Sequence, residues 1–141
     1  MIDPEKIRKA LVVDESQLQH ELLERVAVPL RIVNRGRVHL LDPARYRVKD
    51  SIALYLIGRK YAFEAKLLED DTVQLSEIAS ALGIDTQVVS ARLSELRDEG
   101  KVEAPARGQS RIVFPRVPQI LNEIDMQVRT WSKTTKDQKT R

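Results

Sequence analysis

Amide and hydroxyl side chains recur at helical spacing between residues 85 and 99. Val89, Leu93 and Leu96 form an apolar stripe there, which predicts the side of the helix that faces the core. The opposite side carries small and polar residues, namely Thr86, Gln87, Ser90, Ala91 and Ser94. Such side chains can hydrogen-bond the base edges or the phosphates of a nucleic acid. A plain solvated face is the alternative interpretation.

Arginine clusters give parts of the chain a stronger positive charge than its net charge of +3 indicates. Residues 104–118 contain three arginines and no acid, and the three are Arg107, Arg111 and Arg116. A second cluster consists of Arg31, Arg35 and Arg37. Clusters of this kind suit a phosphate backbone. For the second cluster, we favour a solvated hairpin over an extension of a nucleic-acid footprint.

Residues typical of enzymes and metal sites lack suitable partners in this sequence. His20 and His39 are isolated, so we expect no metal site. Asp70 and Asp71 are neighbours in a predicted solvated turn, and Ser76 lies in no nucleophile motif. The chain has no cysteine and no glycine-rich phosphate loop. We therefore expect neither an enzyme nor a bound metal, cofactor or small-molecule ligand.

The spacing of apolar residues predicts a mainly α protein with a small β component. A first helix begins at Asp3-Pro4, where the aspartate caps the helix and the proline occupies its first turn. A second helix covers residues 16–26, with Leu18, Leu22 and Leu23 on one face.

A β-hairpin and a long helix are predicted next. Two β-rich runs, residues 30–33 and 37–41, flank the turn Asn34-Arg35-Gly36. Asp42-Pro43 offers another helix start, and a helical pattern continues over residues 48–68. We expect this helix to be the longest in the protein and to be buried mostly on one side.

The stretch after the long helix carries the most specific pattern. It predicts two helices, over residues 75–82 and 85–99, separated by a tight turn in which Gly83 supplies a left-handed backbone. Asp85 caps the second helix, and Gly100 ends it. This stretch resembles the helix-turn-helix of the winged-helix superfamily, in which archaeal and bacterial transcription regulators are abundant. The matching segments are Ser76-Glu77-Ile78-Ala79, Leu82-Gly83-Ile84, Val89-Ser90, Leu93, Leu96 and Glu99-Gly100-Lys101-Val102.

The resemblance implies that residues 46–118 form a winged helix-turn-helix domain that binds double-stranded DNA. The second helix would read the major groove, where Gln87 can bond adenine and Ala91 can contact the methyl group of thymine. The wing would consist of strands 101–103 and 111–114. Other contacts to bases, phosphates or the minor groove would come from Thr86, Ser90, Arg92, Ser94, Arg97, Arg107, Gln109 and Arg111. The acids at the end of the helix must then face away from phosphate, and these are Glu95, Asp98 and Glu99.

The remaining segments flank this domain. Residues 1–45 are predicted to form an extension of helices and a hairpin, residues 119–131 a C-terminal helix, and residues 132–141 a basic disordered tail. The C-terminal helix carries an apolar stripe that either closes the core or mediates a homodimer, and helix 16–26 is the other candidate contact. A two-fold dimer would present two recognition helices to half-sites one DNA turn apart.

Two functions are consistent with this organisation. We expect a transcription regulator that reads a DNA sequence, and the alternative is an architectural or protein-interaction module of a DNA or RNA machine. The amino terminus lacks the apolar stretch of a signal peptide, and the longest apolar run, residues 52–57, is too short to span a bilayer. We therefore expect a soluble, cytoplasmic protein.

Overall fold

A computed structural model describes the backbone of residues 1–139 and the side chains of residues 1–130. Within these residues the chain is mainly helical and contains two small antiparallel sheets. The helices are α1 (Pro4–Leu11), α2 (Glu15–Val26), α3 (Val48–Glu64), α4 (Leu75–Leu82), α5 (Thr86–Asp98) and α6 (Val117–Lys139). The strands are β1 (Leu30–Val33), β2 (Arg37–Leu40), β3 (Val73–Gln74), β4 (Val102–Glu103) and β5 (Gln109–Ile112). This confirms the prediction of a mainly α protein with a small β component.

Helix α3 forms the centre of the core. All of its residues from Asp50 to Gly58 are buried, so the prediction that burial lies mostly on one side was wrong. The reason is that β1 and β2 contact α3, and α4, α5 and α6 contact it as well. It is also shorter than predicted and is not the longest helix, with 17 residues against 23 in α6. The chain leaves α3 where Lys66 adopts a φ of 63° and the Leu67 amide donates to the carbonyl of Ala62.

Strands β1 and β2 form the predicted hairpin and pack on α3. Leu30 pairs with Leu40, and both side chains are buried against the core. The hairpin approaches α3 at Gly58, where a Cβ atom would lie 2.5 Å from Cγ1 of Val38. Glycine at this helical position therefore allows the close approach of strand and helix. The predicted helix start at Asp42-Pro43 gives only a single 3-10 turn before α3.

Helices α1 and α2 begin as the sequence predicts but differ in packing. Asp3 and Asp14 accept hydrogen bonds from the amides of Glu5 and Gln17 at the two N-termini. No residue of α1 is buried. In α2 the buried side chains are Leu22 and Val26, together with the partly buried Leu18. Leu23 is 51% exposed, because the inward stripe follows i, i+4 and i+8 spacing and Leu23 lies beside it.

Helices α4 and α5 and the second sheet form the segment with the most specific sequence pattern. Gly83 has the predicted left-handed backbone, with φ 65°, and Asp85 accepts a 2.8 Å hydrogen bond from the Gln87 amide. In the sheet, β5 lies between β3 and β4. Val73 of β3 pairs with Ser110, a pairing that the sequence does not predict. The two strands of the predicted wing also differ in their bounds, since they cover 102–103 and 109–112.

Helix α6 closes the core of its own chain. Among the side chains of α6 that the structure describes, four are buried, and these are Val117, Ile120, Leu121 and Ile124. The helix begins two residues earlier than predicted and continues to Lys139, over residues for which the sequence predicts a disordered tail. After Pro118 the sequence contains no further glycine or proline that would end the helix. Residues 140–141 and the side chain of Trp131 lie outside the described part of the chain.

Candidate functional site

The exposed side of α5 carries the predicted polar residues. Val89, Leu93 and Leu96 are at most 2% exposed, as expected for a core-facing stripe. The residues on the opposite side are all exposed, and these are Thr86, Gln87, Ser90, Ala91 and Ser94. In the described part of the chain, none of the polar side chains in this set makes a hydrogen bond to another residue. Their donors and acceptors are therefore available to a partner molecule.

The N-terminal part of this face is also free of carboxylates. Between Thr86 and Ser94 the sequence contains no aspartate or glutamate. Asp85 directly precedes the helix, but its Oδ1 atom accepts the hydrogen bond from the Gln87 amide. From Thr86 to Ser94, a negatively charged partner therefore meets no carboxylate of the helix itself.

Of the three acids at the end of α5, Glu95 and Glu99 pair with lysines from neighbouring elements, whereas no described residue forms an ion pair with Asp98. Nζ of Lys101 donates to Oε2 of Glu99 at 2.7 Å and also to Glu123 of α6. Lys49 of α3 forms an ion pair with Glu99 as well and lies 3.9 Å from Glu95. The Lys101 side chain is only 8% exposed, so this cluster joins α3, α5 and α6 inside the molecule. These contacts draw the two glutamates away from the polar face.

The two arginines of α5 differ in their surroundings. Arg92 forms a 3.1 Å ion pair with Glu95 of the next turn. Its Nε atom is buried and has no hydrogen-bond partner among the described residues. Arg97 is exposed, and no described residue forms an ion pair with it. Of the two predicted phosphate contacts, Arg97 therefore has the freer charge.

The loop between β4 and β5 presents one uncompensated arginine. Arg107 is exposed, and no carboxylate in the described chain pairs with it. Gly108 follows with φ 76°, and its carbonyl accepts a 3.0 Å hydrogen bond from the Leu75 amide. Gln109, which is partly buried, begins β5 opposite Gln74. The loop is thus fixed against the start of α4, with Arg107 at its tip.

Arg111 is committed to two carboxylates. Its NH2 atom lies 2.7 Å from Glu103, and its NH1 atom lies 3.7 Å from Asp71. The hydrogen bond to Glu103 is the main reason that the pKa of Arg111 is raised. Asp71 also pairs with Lys60 at 3.1 Å. Neither pairing was predicted from the sequence. Glu103 directly precedes the acid-free residues 104–118, and Asp71 lies forty positions before Arg111 in the chain.

Metal sites, membrane-spanning helices and similar proteins could each point to a different function, and none is found for the described residues. Among the described residues, no group of three or more His, Cys, Asp or Glu side chains could hold a metal ion. No helix in the described part of the chain has the length and apolar character that crossing a membrane requires. No protein-family model, curated protein or solved structure matches the chain.

Proposed function

We propose that residues 46–118 form a winged helix-turn-helix domain and bind double-stranded DNA. The order of elements supports this proposal: a helix, a strand, two helices and a β-hairpin follow one another, and β5 pairs with both β3 and β4. The observation that carries it is the uncommitted polar face of α5, together with the free arginine of the β4–β5 loop. An exposed helix of this kind fits the major groove of B-DNA.

In this proposal, the first turns of α5 read the base edges. Gln87 has both an amide donor and a carbonyl acceptor, which matches the N6 and N7 atoms of adenine. Ala91 is exposed one turn later and can contact the methyl group of thymine. Thr86, Ser90 and Ser94 hydrogen-bond further base atoms or nearby phosphates.

Affinity comes mainly from the uncompensated arginines. Arg97 and Arg107 can neutralise phosphates and release the counterions condensed on DNA. Arg92 and Arg111 contribute less, because each already forms an ion pair with a glutamate that DNA would have to replace. Gln109 is only partly buried and supports the loop beside Arg107.

A regulator of transcription would act as a homodimer under this proposal. Two-fold symmetry would place two copies of α5 at half-sites one DNA turn apart. The apolar residues of α6 before Met126 are used inside its own chain, so the contact would involve other surfaces. Helix α2 offers Leu23, which is 51% exposed. Light scattering on the purified protein, with and without DNA, measures the stoichiometry.

A second candidate function is that of an architectural or protein-interaction module. The pairing of Arg92 and Arg111 with acids favours it, because it leaves fewer free charges than the sequence indicates. Val88 is 42% exposed beside Ala91, which adds apolar surface to α5. Such a module would bind DNA without base preference or dock on another protein.

Substitution of the polar face separates a sequence reader from these alternatives. The double variant Gln87→Ala, Ser90→Ala should lose about 1–3 kcal/mol of discrimination at the contacted bases after selection of a preferred duplex. The matched control is Ser16→Ala, Gln17→Ala, because both residues are exposed on α2. Equal affinity of the double variant and the wild type for the selected duplex would contradict base reading by α5. The free energy of unfolding of both variants should lie within about 0.5 kcal/mol of that of the wild type.

A further inference from the structure

A cleft of about 590 Å³ lies between the β1–β2 hairpin, α3 and α4. Its volume falls in the range of small-ligand sites, about 300–1,000 Å³. The hairpin contributes Arg35, Arg37 and His39, α3 contributes Tyr55 and Arg59, and α4 contributes Glu77, Ser80 and Ala81. Three guanidinium groups therefore line one cavity that contains a single carboxylate.

The carboxylate in the cleft is already shared by two donors. Oε2 of Glu77 accepts a hydrogen bond from Arg59 at 3.3 Å and another from the Tyr55 hydroxyl at 3.4 Å. The guanidinium groups of Arg35 and Arg37 have no hydrogen-bond or ion-pair partner among the described residues. Burial is the main cause that raises the pKa of Tyr55, while the nearby charges of Arg59 and Arg37 oppose this shift. The cleft therefore has excess positive charge at short range.

Two further details concern the arginines of the cleft. Nε of Arg59 is buried and lacks a hydrogen-bond partner in the part of the chain that the structure describes. Arg35 lies in the hairpin turn with φ 38°, a backbone conformation that glycine or asparagine adopts more easily. The geometry of the turn alone does not explain an arginine at this position. A ligand that pairs with its guanidinium group would.

We propose that this cleft binds a phosphate group. Guanidinium groups present fixed forks of N–H donors that match two phosphate oxygens at once. Arg35 and Arg37 would hold the phosphate at the mouth of the cleft, and Ser80 would supply a hydroxyl from the opposite side. The phosphate belongs either to the backbone of a nucleic acid or to a free phosphate-bearing molecule. The first source rests on the proposed DNA-binding function, and the second does not.

The first experiment titrates the full chain with inorganic pyrophosphate at constant ionic strength and follows the backbone amides by NMR. We expect saturable shifts at residues 35–39 and at Ser80 and Ala81. The variant Arg35→Gly, Arg37→Gln should bind roughly tenfold more weakly or not at all, since it removes two charge-assisted contacts. Glycine suits the positive φ of the turn, so this variant should fold. Arg8→Gln on the exposed helix α1 is the control for loss of charge.

The second experiment measures DNA binding by the same variants across a salt series. A decrease in the salt slope of about one for each lost phosphate contact, absent in Arg8→Gln, would identify the nucleic-acid backbone as the source. Pyrophosphate binding with an unchanged DNA slope would identify a free phosphate-bearing ligand. Absence of pyrophosphate shifts, together with variants that match Arg8→Gln on DNA, would overturn the proposal. If the wild type does not bind DNA at all, the proposed function fails and the pyrophosphate titration alone decides on the cleft.

Discussion

The segment of residues 104–118 and the β1–β2 hairpin each carry three arginines, but they differ in how many guanidinium groups lack a described partner. In the first segment, Arg111 pairs with Glu103 and Asp71, and Arg116 donates to the neutral Gln119 side chain at 3.0 Å. Only the guanidinium group of Arg107 has no described partner there. In the hairpin, Arg31 donates to the carbonyls of Ala27 and Leu30. The guanidinium groups of Arg35 and Arg37 remain without a described partner there.

This difference shows that the number of arginines in a segment does not indicate how many of them are available to bind a phosphate. An arginine that already pairs with a carboxylate must exchange one anion for another, so its net gain on meeting a phosphate is small. A free arginine exchanges only solvent and counterions. The hairpin, which the sequence analysis interpreted as a solvated decoration, therefore has more available charge than the loop that was assigned to DNA.

The largest effect should come from the residue that positions the hairpin. Gly58→Val would place a branched side chain where a single Cβ atom already lies 2.5 Å from Val38. We expect overpacking to lower the free energy of unfolding by about 3 kcal/mol, measured by urea denaturation. Adding Val38→Ala should restore part of the lost free energy of unfolding, because it removes the two methyl groups that the new side chain would meet. A stability of Gly58→Val equal to that of the wild type would contradict the docking of the hairpin on α3.

Lys101 forms ion pairs only with residues of its own chain, so its substitution should affect stability and not DNA binding. Lys101→Met removes the ammonium group between Glu99 and Glu123, whose side chains are 36% and 44% exposed. Because both carboxylates can regain water, we expect a loss of about 1–3 kcal/mol, less than for a fully buried pair. The salt slope of DNA binding should match that of the wild type. A reduced slope would mean that Lys101 contacts phosphate.

Acid should narrow the stability difference between Lys101→Met and the wild type. Burial is the largest single effect and opposes ionisation of Glu99 and Glu123. Lys101 outweighs it only together with Lys49 at Glu99 and with Gln119 at Glu123, so the pKa values of both carboxyl groups fall below 4.5. Their contribution is therefore present above pH 4.5 and is lost as the pH falls through the lowered pKa values. Urea denaturation of both proteins at a series of pH values measures this change. A difference that stays constant into the acid range would exclude the cluster as its cause.

Removal of the free arginine in the β4–β5 loop should weaken DNA binding without affecting the fold. Arg107→Ala is expected to lower affinity for all duplexes and to reduce the salt slope by about one. The free energy of unfolding, measured by thermal denaturation, should change by no more than about 0.5 kcal/mol, because the side chain is exposed and unpaired. Arg8→Ala serves as the control for net charge. Identical titrations of Arg107→Ala and this control would remove the loop from the interface.

Of the two arginine variants in the β4–β5 region, Arg111→Ala should have the smaller effect on DNA binding. Because Glu103 and Asp71 already compensate its charge, the salt slope should fall by clearly less than the value of about one expected for a free arginine. The loss of its ion pairs should lower stability by less than about 1 kcal/mol, since the side chain is 36% exposed. If Arg111→Ala reduced the slope more than Arg107→Ala, the contrast between paired and free arginines would be incorrect.

The helices of residues 75–98 could be predicted from the sequence because their signals are local. Gly83 determines a left-handed turn, Asp85 caps α5, and the spacing of Val89 and Leu93 indicates the buried side. The same holds for the β1–β2 hairpin, in which alternating residues flank a short turn. Each of these features depends on residues close together in the chain. The exposed residues proposed to read DNA follow from the same periodicity.

Features that depend on distant residues could not be predicted in this way. Strand β3 has only two residues, and it is a strand because it pairs with β5. The burial of α3 all round follows from elements on several sides, which its own periodicity does not show. Likewise, the pairing of Arg111 with Asp71 and the meeting of Arg37 with Arg59 in one cleft join residues far apart in sequence. These tertiary contacts decide which charges are free.

The central claim is that residues 46–118 bind double-stranded DNA. It is tested most directly by a fluorescence anisotropy titration of the purified full chain against a random-sequence duplex across a salt series. We expect micromolar or tighter binding at low salt, with affinity falling steeply as salt rises because bound counterions are released. Absence of binding even at low salt would contradict the claim and favour the protein-interaction module.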